Sequence, residues 1–112
     1  MIRFIVRKKD DGAYAGFSVD GHAKYGSYGK DIVCAAVSVL TLNTANAIEA
    51  LTDNVINVRE NDKGGALEAD FPEGLDEKGG LLMDALVMGI RDVEQQYGSG
   101  YVNVTESVTD GE

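Results

Sequence analysis

One cysteine and one histidine in 112 residues exclude two common uses of these side chains. A single cysteine, Cys34, forms no disulfide within the chain, and zinc would have to be held by carboxylates, without a paired spacing such as Cys-x-x-Cys. Cations are also scarce. Ten Lys and Arg stand against nineteen Asp and Glu, a formal charge of −9, which disfavours a phosphate backbone as partner and favours a basic protein or peptide. Neither a charged n-region nor a signal-peptide cleavage site follows Met1, and the longest mostly apolar run, Ile32 to Leu42, is shorter than the roughly 20 residues of a bilayer span, with Ser38 and Thr41 interrupting it. These absences lead to the expectation of a soluble protein of the reducing cytoplasm, without a metal or other cofactor and without direct contact to nucleic acid or membrane.

What remains is enough for one modest core, since 44% of the residues are hydrophobic. Apolar positions alternate as Ile2, Phe4, Val6 and, after the turn signal Asp10-Asp11-Gly12, as Ala15, Phe17, Val19, the pattern of a hairpin. A glycine-rich, polar stretch from Gly21 to Lys30, with Gly26 and Gly29, reads as a mobile surface loop. Asp31 reads as the N-cap of a helix running to about Leu51, with Val33, Val37, Leu40, Thr44, Ile48 and Leu51 on one face. Ala35, Val39 and Leu42 make the first half of that helix apolar on other sides too, so it is deeply buried or lies at a subunit interface. A second strand pair follows at Val55 to Arg59 and Ala66 to Phe71, turned at 61–65 and ended by Pro72 and Gly74. A second helix begins near Asp76 to Gly80 and stops at Gly98, and Tyr101 to Thr105 adds a short strand. The order β-β-α-β-β-α-β predicts an α+β fold with an antiparallel or mixed sheet of about five strands and two main helices. Residues 1–105 make one domain, and the acidic end 106–112 is expected to be disordered.

The chemistry concentrates between His22 and Ser38. With a cap at Asp31, Cys34 falls at the third helical position, where unpaired amides and the positive end of the helix dipole favour a thiolate. His22 can exchange a proton with it if the loop folds back on the helix start. Taken alone, a cysteine in Ile-Val-Cys-Ala-Ala-Val is usually a small core residue, a histidine beside glycine is often a solvated turn residue, and Asp31 is more naturally a cap than an orienting carboxylate. Ser38, one turn beyond Cys34, either contacts a substrate or bonds back to a carbonyl of its own helix. Gly29-Lys30 ahead of a helix is no Walker loop, because Lys24 and Asp31 stand where that motif needs a glycine and a Ser or Thr.

The segment Gly21-His22-Ala23, followed across Gly26 and Gly29 by Asp31-Ile32-Val33-Cys34-Ala35-Ala36-Val37-Ser38, resembles the ribosomal-processing cysteine protease family, Prp. The similarity continues through Asn46-Ala47-Ile48, the Gly64-Gly65 turn and Glu94-Gln95-Gln96-Tyr97, nearly the whole chain. It implies a cytoplasmic cysteine endopeptidase, commonly a homodimer, that removes a short N-terminal extension from a basic large-subunit ribosomal protein. It also implies Cys34 as nucleophile and His22 as acid/base, with Asp31 and Ser38 in support, and cleavage after a small residue preceded by aromatic and aliphatic ones. Two other readings have different signatures: a non-catalytic acidic assembly factor or adaptor would bind the ribosomal protein without product, and a thiol redox sensor would need a partner thiol from another chain.

Overall fold

A computed structural model describes residues 1–21, 28–61 and 66–108, with backbone alone for 28–31 and 61. Its elements follow the expected order: β1 (Ile2–Lys8), β2 (Tyr14–Asp20), α1 (Tyr28–Leu51), β3 (Asn57–Asn61), β4 (Ala66–Asp70), α2 (Glu77–Tyr97) and β5 (Val102–Val108). The strands form one sheet in the order β3-β4-β2-β1-β5. Neighbours are antiparallel except β1 and β5, which run parallel, so the sheet is mixed.

Alternation along the strands gives the sheet two different faces. Phe4 pairs with Val19, Val6 with Phe17, Phe17 with Ala69 and Phe4 with Val104, and these residues are buried under both helices. Three phenylalanines centre that layer: Phe17 lies 5.8 Å from Phe4 and 6.4 Å from Phe71, centroid to centroid, with tilted rings. From α1, Val33, Val37 and Ile48 join this core, and from α2, Met83, Leu86 and Ile90 do. The stretch Ile32–Leu51 is long and apolar enough, by length and composition, to cross a membrane. In this fold it is a helix whose Val33, Val37 and Ile48 lie in the core of the sheet.

The open face of the sheet is an ionic lattice. Arg7 donates to Ser18, to the Ala69 carbonyl at 2.9 Å and to Asp70 at 2.7 Å, while Arg59 donates to Glu68 at 2.7 Å and Asp70 at 2.8 Å. Gly16 makes room for this, since a Cβ there would stand 2.4 Å from the Ala69 oxygen and 2.4 Å from the Arg7 guanidinium.

Both ends of α2 are chemically punctuated. Asp76 accepts from the Gly79 amide at 2.9 Å and from Asn54 at 2.9 Å, and Gly98, at φ +104°, closes the helix by donating to the Glu94 carbonyl. The Tyr14 hydroxyl donates to Asp84, and the Val104 amide donates to Glu94 at 3.1 Å, which ties α2 to the central strand β2 and to the edge strand β5.

Burial raises the Asp70 pKa, but the hydrogen bonds from Arg59 and Arg7 outweigh it and leave the carboxyl below the ordinary carboxylate range. The Gly79 amide and Asn54 lower that of Asp76. Both carboxyls therefore bind a proton more tightly in the unfolded chain than in the folded one. Their stabilisation is complete above about pH 4 and is lost as the pH falls through the folded values. Urea midpoints should accordingly drop between pH 6 and pH 3, and Asp70→Asn should flatten that dependence; an unchanged slope in the variant would refute the assignment.

The structure departs from the sequence expectations in the bounds of three elements. α1 begins at Tyr28, three residues before Asp31. β3 covers Asn57–Asn61 rather than Val55 to Arg59, leaving Val55 and Ile56 in the connection from α1. β5 runs to Val108, so Glu106, Ser107 and Val108 belong to the sheet and not to a disordered end. The reason is pairing: β5 matches β1 from Ile2↔Val102 to Lys8↔Val108, and Glu106 meets Lys8 at 3.6 Å and Arg91 at 3.3 Å.

Candidate active site

Cys34 lies six residues into α1, in its second turn. The helix places it at the boundary between core and solvent: Val33 and Val37 are 1% exposed, and Cys34 itself is partly buried and packs against the same cluster. Ala35 and Ser38 are exposed, and Ala36 is half-buried, so the positions that follow Cys34 towards solvent carry small side chains. The helix is set in place by the core beneath it and by α2 beside it, where Gly89 faces Leu40; a Cβ on Gly89 would come within 3.3 Å of that side chain.

The start of α1 corrects three expectations. Asp31 is a helical residue and does not cap α1, and Gly29 lies in the first turn rather than in a loop. Acidic residues are favoured both at a cap and throughout a first turn, so the residue type alone does not fix the end of the helix. Cys34 consequently stands beyond the turn whose amides lack helical partners. Its own amide falls where the helix ladder supplies the Lys30 carbonyl as acceptor.

His22 and Gly26 lie outside the described residues, but the chain's approach to His22 is defined. β2 ends at Asp20, whose register partner is Arg3, with 3.7 Å between guanidinium and carboxylate. Gly21 follows at φ +77°, and a Cβ there would lie 2.3 Å from the Met1 carbonyl oxygen. Position 21 therefore demands glycine twice over, through its left-handed backbone and through a contact with backbone that has no room to yield. Gly21→Ala should cost about 2 kcal/mol or more in a urea titration, and wild-type stability in that variant would show that the turn carries no such constraint.

Ser38 has an exposed side chain, and its carbonyl accepts from Thr41 at 3.2 Å. Further along, Thr41 also bonds back to the Val37 carbonyl at 2.9 Å, Thr44 to that of Leu40 at 2.8 Å, and Thr52, just past the helix, to that of Ile48. Among the described residues no three His, Cys, Asp or Glu side chains converge as a metal ion would require. The fold also assembles a feature that the sequence reading missed. A groove of about 350 Å³ runs between α1 and the edge strand β3, lined by Leu42, Glu49, Ile56, Val58 and Glu60 among others. Its parts are separated in sequence, and no local pattern marks them as neighbours.

Comparison with known proteins converges on the same chemistry. A family model described as cysteine protease Prp matches residues 1–103. The ribosomal processing cysteine protease Prp of Staphylococcus aureus is 29% identical over 97 residues, covering 87% of this chain and 92% of that protein, and its Bacillus subtilis counterpart is 29% identical over 103 residues, 87% and 90%. Among solved structures, the S. aureus protease in complex with a substrate peptide superposes with a TM-score of 0.88 at 25% identity, covering 96% of this chain and all of that one. The same protease with a covalently linked product peptide gives 0.86 at 26% identity, with the same coverage. A Streptococcus mutans protein gives 0.86 at 32% identity, covering 97% and 96%. The family match runs over nearly the whole chain and the curated relatives carry the same description, so the chain belongs to the Prp family of ribosomal-processing cysteine proteases.

Proposed function

We propose that this protease removes a short N-terminal extension from a basic large-subunit ribosomal protein in the cytoplasm, with Cys34 as nucleophile and His22 as acid/base. The observation that carries the reading is the placement of Cys34 at the core boundary of α1, with small side chains outside it, in a chain that leaves β2 through a constrained Gly21 directly into His22. The Cys34 sulfur attacks the scissile carbonyl, and the peptide C–N bond breaks as His22 protonates the departing amine. Water, deprotonated by His22, then cleaves the thioester, releasing the extension as a carboxylate and restoring the thiol.

The helix start also bears on where the oxyanion is held. Amides of the first turn, from Tyr28 to Lys30, stand about 6–9 Å along the axis from Cys34, so the helix end alone does not surround an oxyanion formed at the sulfur. Asp31, one turn before Cys34 on α1, and exposed Ser38, one turn after it, are assigned supporting roles in holding the substrate.

A homodimer belongs to the same reading. Ile32 is 38% exposed and Val39 65%, and with exposed Ala35 they form an apolar crest on α1 at spacings of three and four, so the deep-burial alternative for this half of the helix does not hold. A second copy seated on that crest would remove it from water. The function is tested by incubating the chain with the extended ribosomal protein and recording intact masses. A single truncation product is expected, whereas stoichiometric complex without product would favour an adaptor.

A further inference from the structure

The groove between α1 and β3 combines three properties that seldom coincide without use. Among the described residues β3 is an edge strand, paired with β4 on one side only, so the backbone groups along its other side can accept a further strand. The floor is apolar and accessible, with Leu42 41% and Val58 43% exposed beside half-buried Ile56. Two carboxylates, Glu49 from α1 and Glu60 from β3, line it. Arg59, between Val58 and Glu60, serves the opposite face of the sheet, where it is bonded to Glu68 and Asp70. A strand laid along β3 would direct alternate side chains into the groove, where a lysine or arginine fits best. Its methylene stem covers the apolar floor and its cationic head reaches the acids.

The groove is also in line with Cys34. At 100° per residue, Cys34, Ser38, Ala45 and Glu49 fall within about 60° of one another around α1, on the side away from the Leu40 contact with α2. Leu42 is about 12 Å and Glu49 about 22 Å along the axis from Cys34, spans that an extended chain covers in roughly four and seven residues.

We infer that this groove is an exosite that takes a basic, extended segment of the substrate as an added strand on β3, about four to seven residues from the scissile bond. The inference rests on the proposed function: the acids of the groove select a basic segment, and since the residues before the cut are expected to be aromatic and aliphatic, the segment in the groove is assigned to the retained, basic body of the ribosomal protein that follows the cut. It explains how an acidic protease recognises more of its substrate than the residues at the thiol.

The probe is a fluorescently labelled ten-residue peptide alternating lysine and threonine, with both ends blocked, titrated with the full chain and read by anisotropy. Wild-type protein should bind it, and Glu49→Gln combined with Glu60→Gln should weaken binding about tenfold, whereas Glu73→Gln, at an exposed acid outside the groove, should leave affinity unchanged. Backbone N-methylation of one alternate set of peptide residues should abolish binding and that of the other set should be tolerated, a contrast that does not depend on any protein variant. The exosite is refuted by absent wild-type binding, by equal loss in Glu73→Gln, or by equal effects of the two methylation patterns. It is equally refuted by sedimentation showing that the groove variants break a dimer, which would assign this face to a second copy. Because the probe reads binding without turnover, these outcomes stand apart from a failure of the wild-type chain to cleave the ribosomal protein.

Discussion

Cys34→Ala should leave a folded protein that binds the extended ribosomal protein and does not cleave it, with turnover reduced by about 10⁴-fold or more. The exchange removes one sulfur from a partly buried site between two fully packed valines, so the helix keeps its register and its core contacts. Loss of a nucleophile, unlike loss of a binding contact, falls on kcat and leaves substrate affinity within a few-fold. Cys34→Ser should behave alike, because a hydroxyl at the same place is far less ionised at neutral pH. His22→Ala should lower kcat by about 10³-fold with little change in affinity. A fall in affinity alone would make His22 a contact residue instead.

The largest effect on stability is expected from Phe17→Ala, about 3–5 kcal/mol. Phe17 is fully buried in the middle of the sheet, pairs with Val6 and Ala69 on either side, and touches the rings of Phe4 and Phe71. No described neighbour is free to fill the space without disturbing strands on both flanks. The urea midpoint should fall accordingly at an unchanged slope, and activity should fall with the folded fraction. A loss below about 1 kcal/mol would mean that the layer under α1 relaxes, and that the platform holding Cys34 is softer than its packing implies.

How far the fold could be read from the sequence follows from which features are local. α2 was legible at both ends because Asp76 and Gly98 are chemical punctuation acting over a single turn. The start of α1 was not, since Asp31 suits a first turn as well as a cap. Val55 and Ile56 resemble strand residues but belong to the connection into β3, where Ile56 packs against the core and Val55 is exposed. Glu106 to Val108 look soluble and unstructured in isolation, and only the parallel pairing with β1 and the contacts of Glu106 with Lys8 and Arg91 make them a strand. That pairing was likewise invisible in the choice between an antiparallel and a mixed sheet, because strand direction depends on contacts across the whole chain.

The candidate site divides in the same way. Cys34 and its small neighbours form one continuous segment, and helical periodicity already put the thiol beside a buried face. Gly21 was legible as a glycine but not as a fixed turn, which requires the Met1 carbonyl at the start of the neighbouring strand, distant in sequence. The groove beside β3 needed the fold itself, as Leu42 and Val58 are brought together by strand order rather than by spacing.

The most direct measurement of the central claim is to acylate the chain with an activated ester of the extension peptide, quench in acid and map the adduct by mass spectrometry. The account predicts a gain equal to the released peptide acid less one water, located on Cys34 and absent from Cys34→Ala. An adduct on another residue, or continued cleavage by Cys34→Ala, would contradict it.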